Sequence, residues 1–366
     1  MKVLFTTDTI QRGGKERQLF ILSSFLIQKG YDVSIITLKF LSNNYINEYN
    51  FDENKIIKIS GKNKYEQFCC FKQTINKLKP DIVFSWDFQT SIYNLLIYKR
   101  YKYKFINGSI QHGIRLFRFS HLIRSIACWL SPFVVANSLA GLKANNLKPG
   151  NKRFILYNGI EQKFINNLSK ADIEALRNKL IPHYNNNHSL VYISVANFVP
   201  YKNYFTVFKS ISRLKSVFNF YYFIIGDGPM KAEIEKKIIE YDLENNVILV
   251  GRTEKVNDYL FASDILIHSS RGEGISNAIL EGMYAGLPII ATNVGGIPET
   301  VYSDSSMLFP YKDHEALYRC LLKSHELMAS FNPESEEYQK HLKKFSVDSM
   351  VIRFEEIIQS IMSDKI

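Results

Sequence analysis

The sequence predicts an α/β protein made of two Rossmann-like domains, each with a doubly wound parallel sheet. The chain has 366 residues, 46% of them hydrophobic and 22% charged, which is more material than one core usually holds. Short β-branched and aromatic runs alternate with helical patterns, as is typical of βαβ units. The strand series stops before an Asn-rich segment, 185–188, and then restarts. We therefore expect two domains.

The first half contains seven segments with the composition of buried strands: 3–6, 32–38, 56–60, 81–86, 104–107, 133–136 and 154–157. Five more follow in the second half: 190–196, 221–225, 247–250, 264–268 and 288–292. Segment 347–362 has apolar residues at helical spacing, which predicts an amphipathic terminal helix. The predicted domains are 1–165, 166–346, and a final segment, 347–366, that packs back on the first domain.

Positive charge is concentrated in the first half of the chain. Residues 1–165 carry 25 Lys and Arg against 10 Asp and Glu, a formal charge of +15, whereas the rest carries 21 against 25, or −4. Between Asp87 and Glu161 there are eleven basic residues and no acidic one. This excess indicates an anionic partner, such as lipid headgroups, a phosphorylated acceptor or nucleic acid. No helix-turn-helix, RRM or zinc motif accompanies the charge, so nucleic acid is the least favoured partner.

Several protein classes are disfavoured by what the sequence lacks. The apolar run after Lys2 is too short for a signal peptide, and no uncharged apolar segment reaches the roughly 18 residues that span a bilayer. The four cysteines form no CxxC pair and no disulfide or zinc spacing, which suits a reducing compartment. A DxD motif in a suitable loop, a metal-ligand cluster and a Ser-His-Asp triad are also missing. We expect a cytoplasmic protein without a bound metal or cofactor.

Two glycine-rich turns lie between a strand and a helix. The first contains Gly13 and Gly14, and the second is the sequence GDGP at 226–229. Such glycines let backbone amides approach a phosphate at a helix N-terminus. Neither turn is a GxGxxG motif, so a dinucleotide cofactor is disfavoured. Each turn is also compatible with a purely structural role.

The strongest signal is SSRGEGISNAILEGMYAGLPIIATNVGGIPE, at 269–299. Glu273 precedes a helix that Ser276 or its neighbours could cap, and Glu281 follows about two turns later, roughly 10 Å along the axis. This separation matches the two ends of a nucleotide sugar. One carboxylate can hold the sugar hydroxyls and the other the ribose, while the amides of Gly274, Ile275 and Ser276 meet the diphosphate. Two solvated surface glutamates are the alternative for an isolated helix, and the surrounding motif favours the binding site.

A second candidate surface is the segment 115–130, RLFRFSHLIRSIACWL. It mixes Arg115, Arg118 and Arg124 with large apolar residues, and the basic positions drift around a helix instead of forming one stripe. We interpret it as an imperfect interfacial helix that docks on anionic lipids, at roughly 1 kcal/mol per basic residue near the surface. Burial of much of it in the core is the alternative.

The arrangement of Glu273, seven residues and Glu281, followed by GGIPE, resembles the donor site of family 4 retaining glycosyltransferases (group 1), which have the GT-B fold. The resemblance implies that the two Rossmann-like domains face each other across a cleft. Further matches occur in the expected order: RGGKER at 12–17, QHG at 111–113, Asn137 and Ser138, NGIE at 158–161, ANFVPYKN at 196–203 and GDGP at 226–229. They cover most of the chain, and together they are highly specific.

The resemblance implies a donor site that consists of Gly13, Gly14, Asn197, Lys202, Gly228, Arg271, Glu273, Gly274, Ile275, Ser276 and Glu281. Three residues are expected to be catalytic. Lys202 offsets the charge on the leaving nucleotide, Glu273 contacts the donor sugar, and His112 reaches toward the reacting carbon. The family commonly has an Arg where this chain has Asn197, which leaves the diphosphate to Lys202, the Gly14 amide and Arg271.

The function implied is that of a retaining, metal-independent hexosyltransferase, in which the leaving phosphate oxygen helps to deprotonate the incoming hydroxyl. The expected donor is a nucleotide diphosphate sugar, a UDP-sugar ahead of a GDP-sugar, and the acceptor is a saccharide or a lipid-linked glycan. The expected location is peripheral, on the inner face of a cell membrane, in bacterial surface polysaccharide biosynthesis such as lipopolysaccharide or capsule. Two alternatives stay open: a non-catalytic donor-binding subunit, favoured by Asn197, and a sugar-nucleotide epimerase, disfavoured by the glutamate spacing.

Overall fold

The computed structural model describes residues 1–41, 45–114, 119–165, 168–182, 184 and 189–363. The chain divides into two compact units. The N-terminal unit comprises Met1–Gly159 and Phe345–Ile366, and the C-terminal unit comprises Ile160–Lys344. The chain therefore passes from one unit to the other twice, after Gly159 and after Lys344, whereas the predicted domains end at residues 165 and 346.

The N-terminal unit is built on a parallel sheet. Its strands are β1 (Lys2–Thr7), β2 (Asp32–Thr37), β3 (Ile56–Lys58), β4 (Ile82–Ser85), β5 (Lys104–Ile110), β6 (Phe133–Ala136) and β7 (Arg153–Ile155). Its first helices are α1 (Gly14–Gln28), α2 (Tyr45–Glu48), α3 (Lys64–Leu78), α4 (Phe88–Tyr101), α5 (Phe119–Leu130) and α6 (Leu139–Ala144). The spatial order β3-β2-β1-β4-β5-β6-β7 reverses between β1 and β4. Ligands of doubly wound sheets bind outside the carboxyl ends of the strands at such a reversal.

The C-terminal unit repeats this plan. Its strands are β8 (Leu190–Val195), β9 (Phe220–Ile225), β10 (Val247–Gly251), β11 (Ile265–His268), β12 (Ile289–Thr292) and β13 (Ser306–Phe309). Its helices are α7 (Lys170–Leu180), α8 (Tyr204–Ile211), α9 (Lys231–Glu240), α10 (Val256–Phe261), α11 (Asn277–Tyr284), α12 (Ile297–Thr300), α13 (His314–Leu322), α14 (Ser324–Ser330) and α15 (Glu336–Lys343). The order β10-β9-β8-β11-β12-β13 is again parallel and reverses between β8 and β11.

The last helix, α16 (Val347–Ser363), belongs to the N-terminal unit. Its Phe354 ring stacks on Phe5 of β1 at 6.0 Å between centroids and lies 5.7 Å from Phe84 of β4. Val351 and Ile358, one turn to either side, are buried in the same core. Apolar residues three and four apart put one continuous stripe of α16 against the sheet, as the helical spacing predicts.

The predicted fold, two doubly wound parallel sheets, is confirmed. The long apolar strands were readable from sequence because parallel sheets are covered on both faces. Strand β13 was missed because SMLF is short and has no β-branched residue. The Asn-rich segment 185–188 lies outside the described residues.

Candidate functional site

The candidate site in the C-terminal unit lies on the loops that follow β8 and β11, at the reversal of strand order. Lys202 ends a short 3-10 turn, Pro200–Lys202, after β8, and Glu273 lies in the loop after β11. The Lys202 Nζ lies 2.6 Å from Glu273 Oε1, and the two side chains are only 14% and 18% exposed. Two residues predicted to bind the donor are therefore an ion pair in this unit.

Backbone and side-chain hydrogen bonds join these two loops. The Arg271 amide donates to the Tyr201 carbonyl at 2.7 Å, and the Ser269 hydroxyl donates to the Lys202 carbonyl at 2.6 Å. The Gly296 amide donates to the Glu273 carbonyl at 2.9 Å. These hydrogen bonds hold the two loops together, so the backbone positions of Lys202 and Glu273 do not depend on the ion pair between their side chains.

The two carboxylate oxygens of Glu273 have different environments. Oε1 accepts from Lys202 Nζ at 2.6 Å and from the Ser270 hydroxyl at 2.9 Å. Within the part of the chain that the structure describes, Oε2 accepts no hydrogen bond. Burial alone would raise the pKa of this carboxyl, but the nearby Lys202 charge, with help from His268, holds the pKa well below its usual range. Glu273 is therefore an ionised carboxylate with one oxygen open to a ligand.

Helix α11 begins next to this pair. Ser276 precedes it with extended backbone angles and makes no side-chain cap, and its hydroxyl instead lies 3.4 Å from His268 Nε2. Gly274 and Ile275, which lead into the helix, are buried. A helix N-terminus carries partial positive charge and favours an anion. Glu281 lies inside α11 and is 6% exposed, so it is a buried charged residue.

Three further predicted residues lie on loops of the same unit. Asn197 follows β8 and is exposed, with its side chain offering a neutral amide. Gly228 packs so closely on Phe198 that a Cβ there would lie 2.6 Å from the Phe198 carbonyl oxygen. Arg271 is exposed, and its charge partly offsets the rise that burial causes in the pKa of Tyr311. Lys202 and Asn197 thus share the loop after β8. Hydrogen bonds join this loop to the loop of Arg271 and Glu273 through Tyr201, and to the turn of Gly228 through Phe198.

The predicted residues of the N-terminal unit lie at the carboxyl ends of its strands. Gly13 precedes α1 in an extended conformation, and a Cβ there would lie 2.6 Å from Glu16 Oε2, the far end of a flexible side chain, so this contact alone does not require glycine. Gly14 is the first residue of α1, and His112 is exposed on the loop after β5. A cavity of about 30 Å³ opens at this edge, with Trp86, Gln111, Asn137 and Tyr157 among its lining residues.

Helix α5 presents an apolar surface. Its exposed large residues are Leu122 (53%), Ile123 (38%), Ile126 (49%), Trp129 (70%) and Leu130 (52%). Ala127 and Cys128 face the interior instead. The Arg124 guanidinium packs over the Phe88 ring at 5.3 Å, and Arg115 and Arg118 lie outside the described residues. Among residues 121–130, whose burial the structure describes, only Ala127 and Cys128 are buried, so the alternative that much of the segment lies in the core does not hold for this part.

Two observations concern membranes and metals. Among the described helices, none combines the length and the apolar character that crossing a bilayer requires. No three His, Cys, Asp or Glu side chains within the described ranges lie close enough together to bind a metal ion.

Sequence reasoning missed two contributors to this site, His268 and Ser270. His268 is the last residue of β11 and is 3% exposed, with Nε2 3.7 Å from Glu273 Oε1. The available signal was a histidine at the carboxyl end of the buried run ILIH, where side chains of parallel strands meet ligands. Ser270 gave no signal, because only the fold of the loop turns its hydroxyl toward Glu273.

Comparison with known proteins relates the chain to sugar-transferring enzymes. Residues 177–335 match the family described as Glycosyl transferases group 1. The chain is 25% identical over 237 residues to N-acetyl-alpha-D-glucosaminyl L-malate synthase of Bacillus anthracis, a match that covers 63% of this chain and 59% of the synthase. It is 24% identical over 340 residues to amylovoran biosynthesis glycosyltransferase AmsD of Erwinia amylovora, covering 90% and 92% of the two chains.

Among solved structures, Anabaena Alr3699/HepE in complex with UDP-glucose superposes with a TM-score of 0.80 at 17% sequence identity. The superposition covers 98% of this chain and 100% of that one. This likeness identifies the fold of the chain as GT-B.

Proposed function

Residues 177–335 belong to the group 1 glycosyl transferases, and from this premise we propose that the protein is a retaining glycosyltransferase of family 4. Its donor is a nucleotide diphosphate sugar. The observation that carries the proposal is the asymmetric carboxylate of Glu273, whose Oε1 is held by Lys202 and Ser270 while Oε2 has no hydrogen-bond partner among the described residues. A sugar hydroxyl needs such an acceptor, and a diphosphate needs the ammonium beside it.

The donor binds with its diphosphate near Lys202 and the N-terminus of α11. The helix end adds partial positive charge there, on the side that Gly274, Ile275 and Ser276 approach. Glu273 accepts a hydrogen bond from the sugar through Oε2. Glu281, about one turn into α11, accepts from the ribose. Gly13, Gly14, Gly228 and His112 keep the roles that the family resemblance implies, and these stay predictions.

Arg271 serves as the second cation of the leaving group. Asn197 is neutral, so the loop after β8 supplies one positive charge, that of Lys202. The amide of Arg271 is bonded to Tyr201, the neighbour of Lys202, and the Arg271 side chain is exposed to an incoming ligand. A guanidinium can bind two phosphate oxygens at once.

In the proposed reaction, the acceptor hydroxyl oxygen forms a bond to the anomeric carbon on the face from which the diphosphate leaves. The bond between that carbon and the diphosphate oxygen breaks, and its electron pair departs with the nucleotide. The departing oxygen takes the proton of the attacking hydroxyl, so no protein base is required. Lys202 and Arg271 stabilise the charge that grows on the diphosphate, and we propose no metal or cofactor for this step.

A UDP-sugar is the proposed donor, because the structurally similar HepE was solved with UDP-glucose. The proposed acceptor is a lipid-linked saccharide in surface polysaccharide biosynthesis, a pathway class suggested by the name of AmsD. Helix α5 supports a lipid-linked acceptor, since five large apolar side chains are exposed on a unit with excess positive charge. The protein then docks peripherally on an anionic membrane, at its cytoplasmic face.

A thermal-shift screen of nucleotide sugars tests the donor assignment, since a ligand at one hundred times its Kd stabilises the fold by about 2.7 kcal/mol. We expect a UDP-sugar to raise the Tm of the native protein and to raise the Tm of Glu273→Gln by less, because that variant keeps the contacts to the diphosphate and loses the carboxylate contact to the sugar. Glu244→Gln, an exposed carboxylate on a turn of the same unit, is the matched control. No stabilisation by any nucleotide sugar contradicts the proposal, and binding without transfer to any acceptor favours the non-catalytic subunit that Asn197 suggests.

A further inference from the structure

His268 is a buried polar residue beside Glu273 to which the proposed reaction assigns no role. It ends β11, is 3% exposed, and pairs in register with Ala291 of β12. Its Nε2 lies 3.4 Å from the Ser276 hydroxyl and 3.7 Å from Glu273 Oε1. The second distance is too long for a hydrogen bond. The ring therefore lies just out of bonding range of the carboxylate.

Burial favours the neutral form of the ring. Burial lowers the pKa of His268. The contact with Glu273 raises this pKa, and the Lys202 charge lowers it further, so that the pKa stays below its ordinary value. A neutral imidazole carries one N–H and can donate it to a carboxylate oxygen. The ring can thus supply one hydrogen bond to Oε1 without bringing a second positive charge into the site.

Donor binding changes what Oε1 contacts, if the proposed function holds. The diphosphate attracts the Lys202 ammonium, which at present lies 2.6 Å from Oε1. When that contact weakens, the Ser270 hydroxyl is the only other group within hydrogen-bond range of Oε1 among the described residues. A small rotation brings His268 Nε2 from 3.7 Å to the roughly 2.8 Å of a charge-assisted hydrogen bond.

We propose that His268 is a positioning residue that takes over Oε1 of Glu273 when the diphosphate draws Lys202 away, and so keeps Oε2 directed at the donor sugar. The inference rests on the proposed function, and it assigns His268 no contact with the reacting atoms. The proposal predicts different effects on the two parts of the donor. Loss of His268 weakens recognition of the sugar, whereas the diphosphate, which contacts Lys202 and the helix N-terminus, is held as before.

The test compares His268→Leu with His268→Gln, whose side-chain amide keeps an N–H donor. Calorimetry gives the Kd of the native protein for UDP, UDP-glucose, UDP-galactose and UDP-N-acetylglucosamine, and for GDP and GDP-mannose. The tightest nucleotide sugar and its nucleotide are then used for the variants. We expect His268→Leu to raise the Kd for the nucleotide sugar roughly tenfold, as for one hydrogen bond to a charged group, and to change the Kd for the nucleotide less than twofold. His268→Gln should restore most of the loss.

A double-mutant comparison with Glu273→Gln shows whether His268 acts through that carboxylate. If it does, adding His268→Leu to Glu273→Gln causes little further loss of sugar binding. The inference is overturned if the two substitutions reduce the affinity for the nucleotide sugar additively. It is also overturned if His268→Leu weakens binding of the nucleotide and of the nucleotide sugar equally and lowers the Tm, because His268 then has only a structural role. A different result contradicts the proposed function, namely that the native protein binds none of the nucleotide sugars.

Discussion

Lys15 and Asp87 form an ion pair, 2.6 Å between Nζ and Oδ1, at the reversal of strand order in the N-terminal sheet. Lys202 and Glu273 occupy the equivalent topological place in the C-terminal sheet. The two pairs differ in their remaining oxygens. Asp87 Oδ2 accepts from the Thr7 hydroxyl at 2.6 Å and the Asp8 amide at 3.0 Å, so Asp87 is bonded through both oxygens. Asp87 thus anchors structure, whereas Glu273 is hydrogen-bonded only through Oε1 among the described residues.

This difference predicts unequal costs for breaking the N-terminal pair. Asp87→Asn weakens three interactions at once and leaves the Lys15 ammonium without its close partner, so we expect it to lower the free energy of unfolding by about 1–3 kcal/mol. Lys15→Met removes one interaction from a side chain that is 31% exposed and should cost less, about 1 kcal/mol or below. Urea denaturation of both variants gives the comparison. A larger loss for Lys15→Met contradicts the anchoring role of Asp87.

Lys202→Ala should lower the transfer rate by roughly two to three orders of magnitude, comparable to losing one donor that stabilises the transition state. The physical reason is that, in the proposed reaction, the Lys202 ammonium stabilises the charge on the departing diphosphate. Single-turnover rates with donor and acceptor measure the effect. Lys209→Ala, an exposed lysine of α8, is the matched control and should keep the native rate. Unchanged turnover in Lys202→Ala contradicts its assignment to the leaving group.

The Lys202–Glu273 pair also predicts how stability depends on pH. The pKa of Glu273 is lowered from its ordinary value of 4.5, so the folded protein binds fewer protons than the unfolded chain as the pH falls below that value. The stabilisation from the ionised carboxylate is full above about pH 4.5 and is lost as the pH falls toward the lowered pKa. Glu273→Gln should therefore be less stable than the native protein near neutral pH, with a difference that shrinks in acid. Denaturation curves across this range measure it, and a difference independent of pH contradicts the lowered pKa.

The sequence predicted more of the fold than of the site. The strands follow from continuous apolar runs, as in β1, which is buried on both faces, and the terminal helix follows from the helical spacing of the buried residues of α16. Ser270 and His268 could not be assigned to the site, because their roles depend on distances set by the loop after β11. The role of Glu273 came from the resemblance, whereas the separate environments of its two oxygens required coordinates.

The glycines of the GDGP turn illustrate the same limit, because the sequence left structural and binding roles open. Gly226 has a φ of +153°, and a Cβ there would lie 1.9 Å from the Ala196 carbonyl oxygen. We expect Gly226→Ala to lower the free energy of unfolding by at least about 3 kcal/mol, since both the backbone angle and the contact must change. Gly150→Ala, at a position where a Cβ meets nothing within 4 Å, is the control. Thermal denaturation tests both, and a stable Gly226→Ala contradicts the structural role.

Helix α5 provides the last prediction, that the protein binds anionic membranes through the exposed apolar side chains of this helix. Trp129 and Ile126 are 70% and 49% exposed and lie three residues apart, on the same side of the helix. Flotation with vesicles of phosphatidylcholine, with and without phosphatidylglycerol, should show binding that requires the anionic lipid and weakens at high salt, because salt screens the basic residues.

The double variant Trp129→Ser with Ile126→Ser should bind these vesicles at least about tenfold more weakly, since each large apolar side chain contributes roughly 1.5–3 kcal/mol when fully buried. Ile239→Ser is the matched control, because Ile239 is an equally exposed apolar residue (64%) on α9 of the other unit. If the double variant binds as well as the native protein, the apolar side of α5 does not enter the membrane. If the protein binds vesicles of phosphatidylcholine alone and salt does not change this binding, the positive charge has no role in docking. The basic residues of the N-terminal unit would then contribute nothing to it.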